Sequence, residues 1–194
     1  CVDILFNNAG VSVAASFTGH EWEDWDRIIG INICSVVYGC RLIYPLLQNS
    51  QRGRIVNMSI LFGIIAMPNQ AAYCMSKYAV RGLSEALWEE LEDVDVSVVH
   101  PGGIRTKIVE HSKSTSDAYQ EHLSAFFRTK TMKVETAVSL ILKGVQQNKK
   151  RIVLTREAIL FDRVKRLFPV WGNSWSYQQI RKSMKLEKVE KARM

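Results

Sequence analysis

A chain of 194 residues is long enough for one domain with a substantial core and too short to presume two. Its 47% apolar and 23% charged residues are those of an ordinary globular protein, which excludes a disordered chain. The net charge of +7 is confined to residues 151–194, with eleven Lys and Arg against four Asp and Glu; the first 150 residues are neutral, and charge without a motif gives no case for nucleic-acid binding.

The chain opens on Val2-Asp3-Ile4-Leu5-Phe6, a β-prone run that lacks the basic start of a secretory signal and leads into Asn7-Asn8-Ala9-Gly10. Being apolar on both faces, it predicts a strand buried on both sides, as in a parallel sheet. Residues 21–47 read as one long helix, with Trp22, Trp25, Ile28, Ile29 and Ile33 three or four apart. Asn49 to Gly53 breaks it, and 54–59 is the next strand. A loop through Gly63 and Pro68 leads into a helix over 71–92, then a strand over 94–99 closed by Pro101-Gly102-Gly103. Residues 106–131 are polar and mixed, consistent with one or two mobile helices. A helix over 133–147, a strand over 151–154 and a helical stretch interrupted at Pro169 and Gly172 complete the pass. No unbroken run of eighteen apolar residues occurs, so no membrane-spanning helix is expected.

Strand–helix alternation of this kind predicts an α/β fold, a parallel sheet with helices on both faces, whose ligands sit at the C-terminal strand ends. Three strand ends carry the unusual residues: Asn7 to Gly10, Ser59, and Pro101-Gly102. Cys1, Cys34, Cys40 and Cys74 have no CxxC spacing, and His20, His100, His111 and His122 have no ligand spacing. Free thiols in a reducing compartment and no metal site are the reading.

Tyr73 and Lys77 stand at i and i+4 on one helix face. A phenol titrates near 10, and an ammonium one turn away favours the phenolate, bringing it toward the range useful for proton transfer. The spacing alone is common in helices. Together with Asn7-Asn8-Ala9-Gly10, Asn32 and Pro101-Gly102-Gly103-Ile104-Arg105-Thr106 in that order, the sequence over 2–155 resembles the short-chain dehydrogenase/reductase family.

The resemblance implies a Rossmann-like doubly wound parallel sheet and hydride exchange between NADP or NAD and a carbonyl or secondary alcohol. Tyr73 would be the general acid/base; Lys77 would lower its pKa and hold the nicotinamide ribose. Asn32 would hold a water that links Lys77 to solvent. Asn8, Ala9 and Gly10 would run along the cofactor, and Pro101, Gly102, Ile104 and Thr106 would cradle the nicotinamide end. In the family an Asn at this turn also braces the sheet. Where the family carries a substrate-binding serine, thirteen residues before the tyrosine, this chain has Ile60 after Ser59. An impaired homologue serving as a binding or scaffolding protein, a shifted loop that brings Ser59 into place, or an altered sequence each fits.

The family's TGxxxGxG turn is also missing. At about 30 residues per βαβ unit, the first units, roughly 80 residues, are expected to be absent, leaving a fragment with an open sheet edge. Residues 1–155 are expected to form the C-terminal part of the catalytic domain and 156–194 a basic helical extension. The segment 107–131, with Tyr119, Phe126 and Phe127, takes the place of the family's variable lid and predicts an apolar substrate. The extension either packs on the core or contacts a membrane surface through Leu160, Phe161, Val164, Leu167, Phe168, Val170, Trp171 and Trp175 beside its basic residues. Helices 21–49 and 71–92 match those that pair in family dimers, so a homo-oligomer is expected, cytoplasmic, with membrane association through the basic extension as the alternative.

Overall fold

Short runs of β-branched residues set a four-stranded parallel sheet: β1 (Ile4–Asn7), β3 (Arg54–Met58), β4 (Asp95–His100) and β6 (Arg151–Val153), in the order β1-β3-β4-β6. The structure, a computed structural model, describes residues 2–114 and 117–184 (for 114, 117–119 and 122 the backbone alone). Cys1, the side chains of Tyr119 and His122, and the tail from Lys185 onward lie outside the described residues.

Successive strand residues face opposite ways, and each face has its own helices. On one side α2 (Ser35–Gln48) and α3 (Ala71–Glu90) bury Val36, Leu47 and Val80 against Ile55 and Val96. On the other, α5 (Val134–Gln146) buries Ala137, Ile141 and Val145 against Val56, Val99 and Ile152. This is the doubly wound α/β arrangement the alternation implied. The expected two-sided burial of the first strand does not occur. Leu5 packs toward α2, but Ile4 and Phe6 are 41% and 43% exposed. The α5 layer packs on the strands beyond and stops short of β1, which is a sheet edge.

The long helix over 21–47 is three segments: α1 (Trp22–Ile28), a π-helical stretch Ile29–Cys34, and α2. Five-residue backbone bonding widens the turn at Asn32 and turns that side chain fully inside. By length and composition alone Trp22–Gln48 could cross a membrane, which interspersed polar residues hide from a search for unbroken runs. Its buried side carries the hydrogen-bonded Asn32 and packs on β1 and α3, while most of its apolar stretch is half-buried or exposed. Trp22 is exposed, whereas Trp25 packs against Val13, Ala15 and Ile28.

A second, two-stranded parallel sheet has no periodic signal because it is two residues long: β2 (Val13–Ala14) with β5 (Lys113–Ser114). Lys113 Nζ reinforces it with bonds to Glu21 at 2.8 Å and Asp24 at 2.9 Å. α4 (Asp117–Lys130) follows. Of the C-terminal helices, α6 (Arg156–Leu167) and α7 (Trp171–Ser183), the second contains Gly172 rather than breaking there. A Cβ on Gly172 would stand 2.8 Å from the Val164 carbonyl oxygen, so the glycine is needed for close helix approach. Both helices pack on Leu61, Ile64, Ile65 and Met67, and the Arg151–Asp162 ion pair ties β6 to α6.

The turn after β3 approaches α3 closely at Gly63, where a Cβ would meet Ser59 Oγ and stand 2.7 Å from the Lys77 carbonyl oxygen. Gly63→Ala is therefore expected to cost about 1–3 kcal/mol by overpacking. Urea denaturation should show a lower midpoint at unchanged slope.

Candidate active site

Three strand ends meet as the topology requires. Leu61 N–H donates to the Pro101 carbonyl at 2.8 Å and Ser59 N–H to that of Val99 at 3.0 Å, which extends the β3–β4 pairing into the loops. Here α3 begins, and it carries Tyr73, Ser76 and Lys77 inward. Tyr73 and Lys77 are each 4% exposed.

Lys77 Nζ donates to the Met58 carbonyl at 3.0 Å and lies 5.7 Å from the centre of the Tyr73 ring. In the other direction Ser59 Oγ donates to the Lys77 carbonyl at 2.9 Å. Asn32 Oδ1 accepts from Val11 N–H at 2.8 Å, and its Nδ2 donates to the Val11 carbonyl at 2.9 Å and to Ser76 Oγ at 3.0 Å. The Asn32 side chain thus has both ends engaged and holds the loop after Gly10 to α3. A Cβ on Gly10 would stand 3.4 Å from both Asn32 Oδ1 and Lys77 Nζ, so Gly10, Asn32 and Lys77 converge on one small space.

Two expectations change. First, an ammonium beside Tyr73 was to bring the phenol down. Burial dominates instead and pushes the Tyr73 hydroxyl well above its ordinary range, with Cys74 adding to the shift. The same burial brings Lys77 down to about 8. Second, Ser59 does not stand in for the missing donor: buried against α3, its hydroxyl is committed to the Lys77 carbonyl. Ile60 follows in extended backbone, its side chain half-buried against the Leu61–Ile64 cluster. Its carbonyl lies 3.2 Å from Nδ1 of His100, a fully buried ring that burial holds neutral, down to about 4.

The cradle residues also have structural duties. Gly102 packs directly on Thr155, whose Oγ1 caps α6, and Gly103 on Thr131. Ile104 bridges to Met132, and its carbonyl accepts from Thr106 N–H at 2.8 Å. Asn8 and Ala9 are exposed at the end of β1. The bracing belongs to Asn7, whose Nδ2 donates to Asn57 Oδ1 at 2.7 Å while Asn57 Nδ2 donates to Ser84 Oγ at 2.9 Å. Sequence reading missed this chain and Ser76; the available signal was one Asn on each of two strands. Phe127 lies 3.7 Å from the Cβ position of Gly103, and Phe62 meets the Tyr73 ring edge-on at 6.4 Å.

A doubly wound parallel sheet with a buried Tyr–Lys pair at its strand ends defines a Rossmann-like α/β protein with one polar site. The profile of the short chain dehydrogenase family matches residues 1–117, and the chain belongs to that family. It is 36% identical over 169 residues to the oxidoreductase candidate SadH of Mycobacterium tuberculosis, covering 84% of this chain and 61% of that protein. It is 31% identical over 160 residues to D-beta-hydroxybutyrate dehydrogenase of Rhizobium meliloti, covering 81% of this chain and 58% of the relative. The chain thus spans about three fifths of the length of the curated relatives it matches. Among solved structures, a short chain dehydrogenase/reductase from Burkholderia phymatum in complex with NAD superposes with a TM-score of 0.78 at 24% identity, over 86% of this chain and 66% of that one. It shares the fold.

Lys77 binds its proton less tightly folded, near 8, than at the ordinary 10.5, so between those values the unfolded chain holds more protons and stability rises with pH. Thermal unfolding of the wild type should therefore gain melting temperature from pH 8 to 10 relative to Lys77→Met. Parallel curves for the two proteins would show that Lys77 is not buried as described.

Proposed function

We propose that the whole protein is an NAD(P)-dependent oxidoreductase that transfers hydride between the nicotinamide and the carbon of a carbonyl or secondary alcohol. The observation that carries this reading is the convergence of Lys77 Nζ, Asn32 Oδ1 and Gly10 beside the Tyr73 ring. The residues present fit the nicotinamide end of such a cofactor. Gly10 leaves open the space a side chain would fill, the exposed Asn8 and Ala9 backbone lies at the strand end, and Pro101, Gly102, Ile104 and Thr106 wall the adjoining loop. When bound, the nicotinamide supplies or accepts the hydride.

Tyr73 gives its proton to the substrate oxygen in reduction and takes it back in oxidation. Burial keeps the hydroxyl protonated, the form that donates, and Lys77, charged below about 8, offsets the phenolate that donation leaves. Lys77, already hydrogen-bonded to Met58, has further N–H groups for the ribose and for an Asn32-held water that returns the proton. Ile60 offers no hydroxyl to the reacting oxygen, and a missing donor costs about 10²–10³ in rate. The non-catalytic reading has Ile60 and the missing glycine-rich turn in its favour. The intact Tyr73–Lys77–Asn32 arrangement and the dehydrogenases among the relatives weigh against it.

Ile60, Phe62 and Phe127 around the site favour an apolar substrate. Val37, Leu42 and Leu46 on α2 with Met75 on α3 leave an exposed apolar face that suits a homo-oligomer. Free Cys34, Cys40 and Cys74 suit a reducing, cytoplasmic setting.

The test is turnover of a ketone panel by the full-length protein with NADH and NADPH. Tyr73→Phe should abolish it while nicotinamide binding persists, and Ile60→Ser should raise kcat about tenfold or more. Absence of both nicotinamide binding and turnover would overturn the reading. Replacing Phe126 and Phe127 with Ala should raise KM for bulky apolar ketones more than for small ones.

A further inference from the structure

We propose that the turn between α6 and α7 is a docking tip for an anionic lipid bilayer surface. Six consecutive residues, Arg166 to Trp171, are exposed, and four of them are large and apolar: Leu167, Phe168, Val170 and Trp171. Leu167 is 73% and Val170 84% exposed, values at which an apolar side chain contributes nothing to the core. The tip continues a stripe on the outer face of α6, where Arg156, Leu160, Arg163 and Leu167 follow at i, i+4, i+7 and i+11. Every residue of that stripe is exposed, while Ala158, Phe161 and Asp162 occupy the inner side.

The charge along this surface is predominantly basic, with Glu157 the exposed acidic residue of α6. Arg156, Arg163 and Arg166 border the apolar residues; Asp162 is turned inward onto Arg151 and Arg166, and Glu157 lies off the stripe. Arginines interleaved with exposed leucines, ending in a Phe–Pro–Val–Trp tip, are what an acidic lipid interface recognises: guanidinium groups reach phosphates while their stems and the aromatic rings enter the headgroup layer. The tip is a convex helix turn rather than a groove, which favours a soft bilayer over a helical or extended peptide. It is also held in place. Phe168 meets Trp171 edge-on at 5.6 Å, and Trp171 stacks on Trp175 at 6.0 Å. Asn173 pairs with the backbone of Ala66, accepting from its N–H at 2.8 Å and donating to its carbonyl at 3.3 Å. Little order would have to be gained on binding.

Flotation of the full-length protein with phosphatidylcholine vesicles, with and without phosphatidylserine, tests the proposal. Binding is expected only with the anionic lipid, weakening at high salt. It should come with a blue shift of tryptophan emission and quenching by brominated lipid, both reduced in Trp171→Phe. The pair Phe168→Ser and Trp171→Ser should lower binding about tenfold or more with an unchanged circular-dichroism spectrum. Wild-type protein that ignores anionic vesicles overturns the proposal, as does a double variant that binds as well as wild type. Should the substitutions disturb folding, brominated-lipid quenching in the wild type and Trp171→Phe decides alone. Self-association that the double variant abolishes, without vesicle binding, would make the tip an interface between copies and equally overturn it.

Discussion

The site depends on two hydrogen bonds that run in opposite directions between the end of β3 and the second turn of α3. Ser59 Oγ donates to the Lys77 carbonyl, and Lys77 Nζ donates to the Met58 carbonyl. Each satisfies a group that would otherwise be buried without a partner, and together they fix the helix both along and around its axis. Gly63 allows the approach, because any Cβ there would enter the same space. With Lys77 held, Tyr73 one turn earlier has no freedom to face elsewhere. Ser59, the neighbour of the position where the family carries its substrate-binding serine, is therefore part of the frame.

A second set of polar contacts ties the strand ends to α3. Val11, Asn32 and Ser76 form one run, and Asn7, Asn57 and Ser84 another, each linking a strand end or its loop to α3 through a fully buried asparagine. Asparagine suits both places because one side chain offers a donor and an acceptor in a plane. The π-helical stretch follows from the first run. A regular helix through 29–34 would turn Asn32 by a different angle, and the widened turn directs it to Val11 and Ser76. Local irregularity in this helix is thus centred on a fully buried residue with three side-chain hydrogen bonds.

The parts of the fold that follow from periodicity were legible: the four strands of the main sheet, the crossover helices, and the assembly of polar residues at the strand ends. The Tyr73–Lys77 pair and the gathering of Asn32 and Gly10 around it were legible too, through motif order rather than spacing. What escaped has physical causes. The β2–β5 pair is two residues long, below any period, and is set by Lys113 reaching across the fold to Glu21 and Asp24. The break inside residues 21–47 has no Pro or capping signal at Asn32; it is imposed by tertiary hydrogen bonds. The bracing duty moved from Asn8 to Asn7 because alternation along β1 turns only one of two adjacent asparagines toward β3. The electrostatics of Tyr73 and Lys77 could not be judged without burial, which raises the one and lowers the other.

Ile60 is the point at which frame and chemistry part. Its backbone is held as firmly as any in the site: its carbonyl lies against His100, and the next amide donates to Pro101. Nothing in that frame depends on a hydroxyl at the side chain, which packs against Leu61 and its neighbours. The position can therefore change character without moving Tyr73 or Lys77, and the consequence is local to the reacting oxygen. On the proposed function one preorganised donor is absent there, while the Ile60 side chain packs with Phe62 against the Leu61–Ile65 cluster. A small polar carbonyl would then meet Tyr73 alone, and an apolar substrate that touched this side chain would gain binding energy in the ground state and the transition state alike. Uniform binding of that kind lowers KM without restoring kcat. On the proposed function, the frame around Tyr73 and Lys77 therefore stays in place whatever side chain stands at position 60.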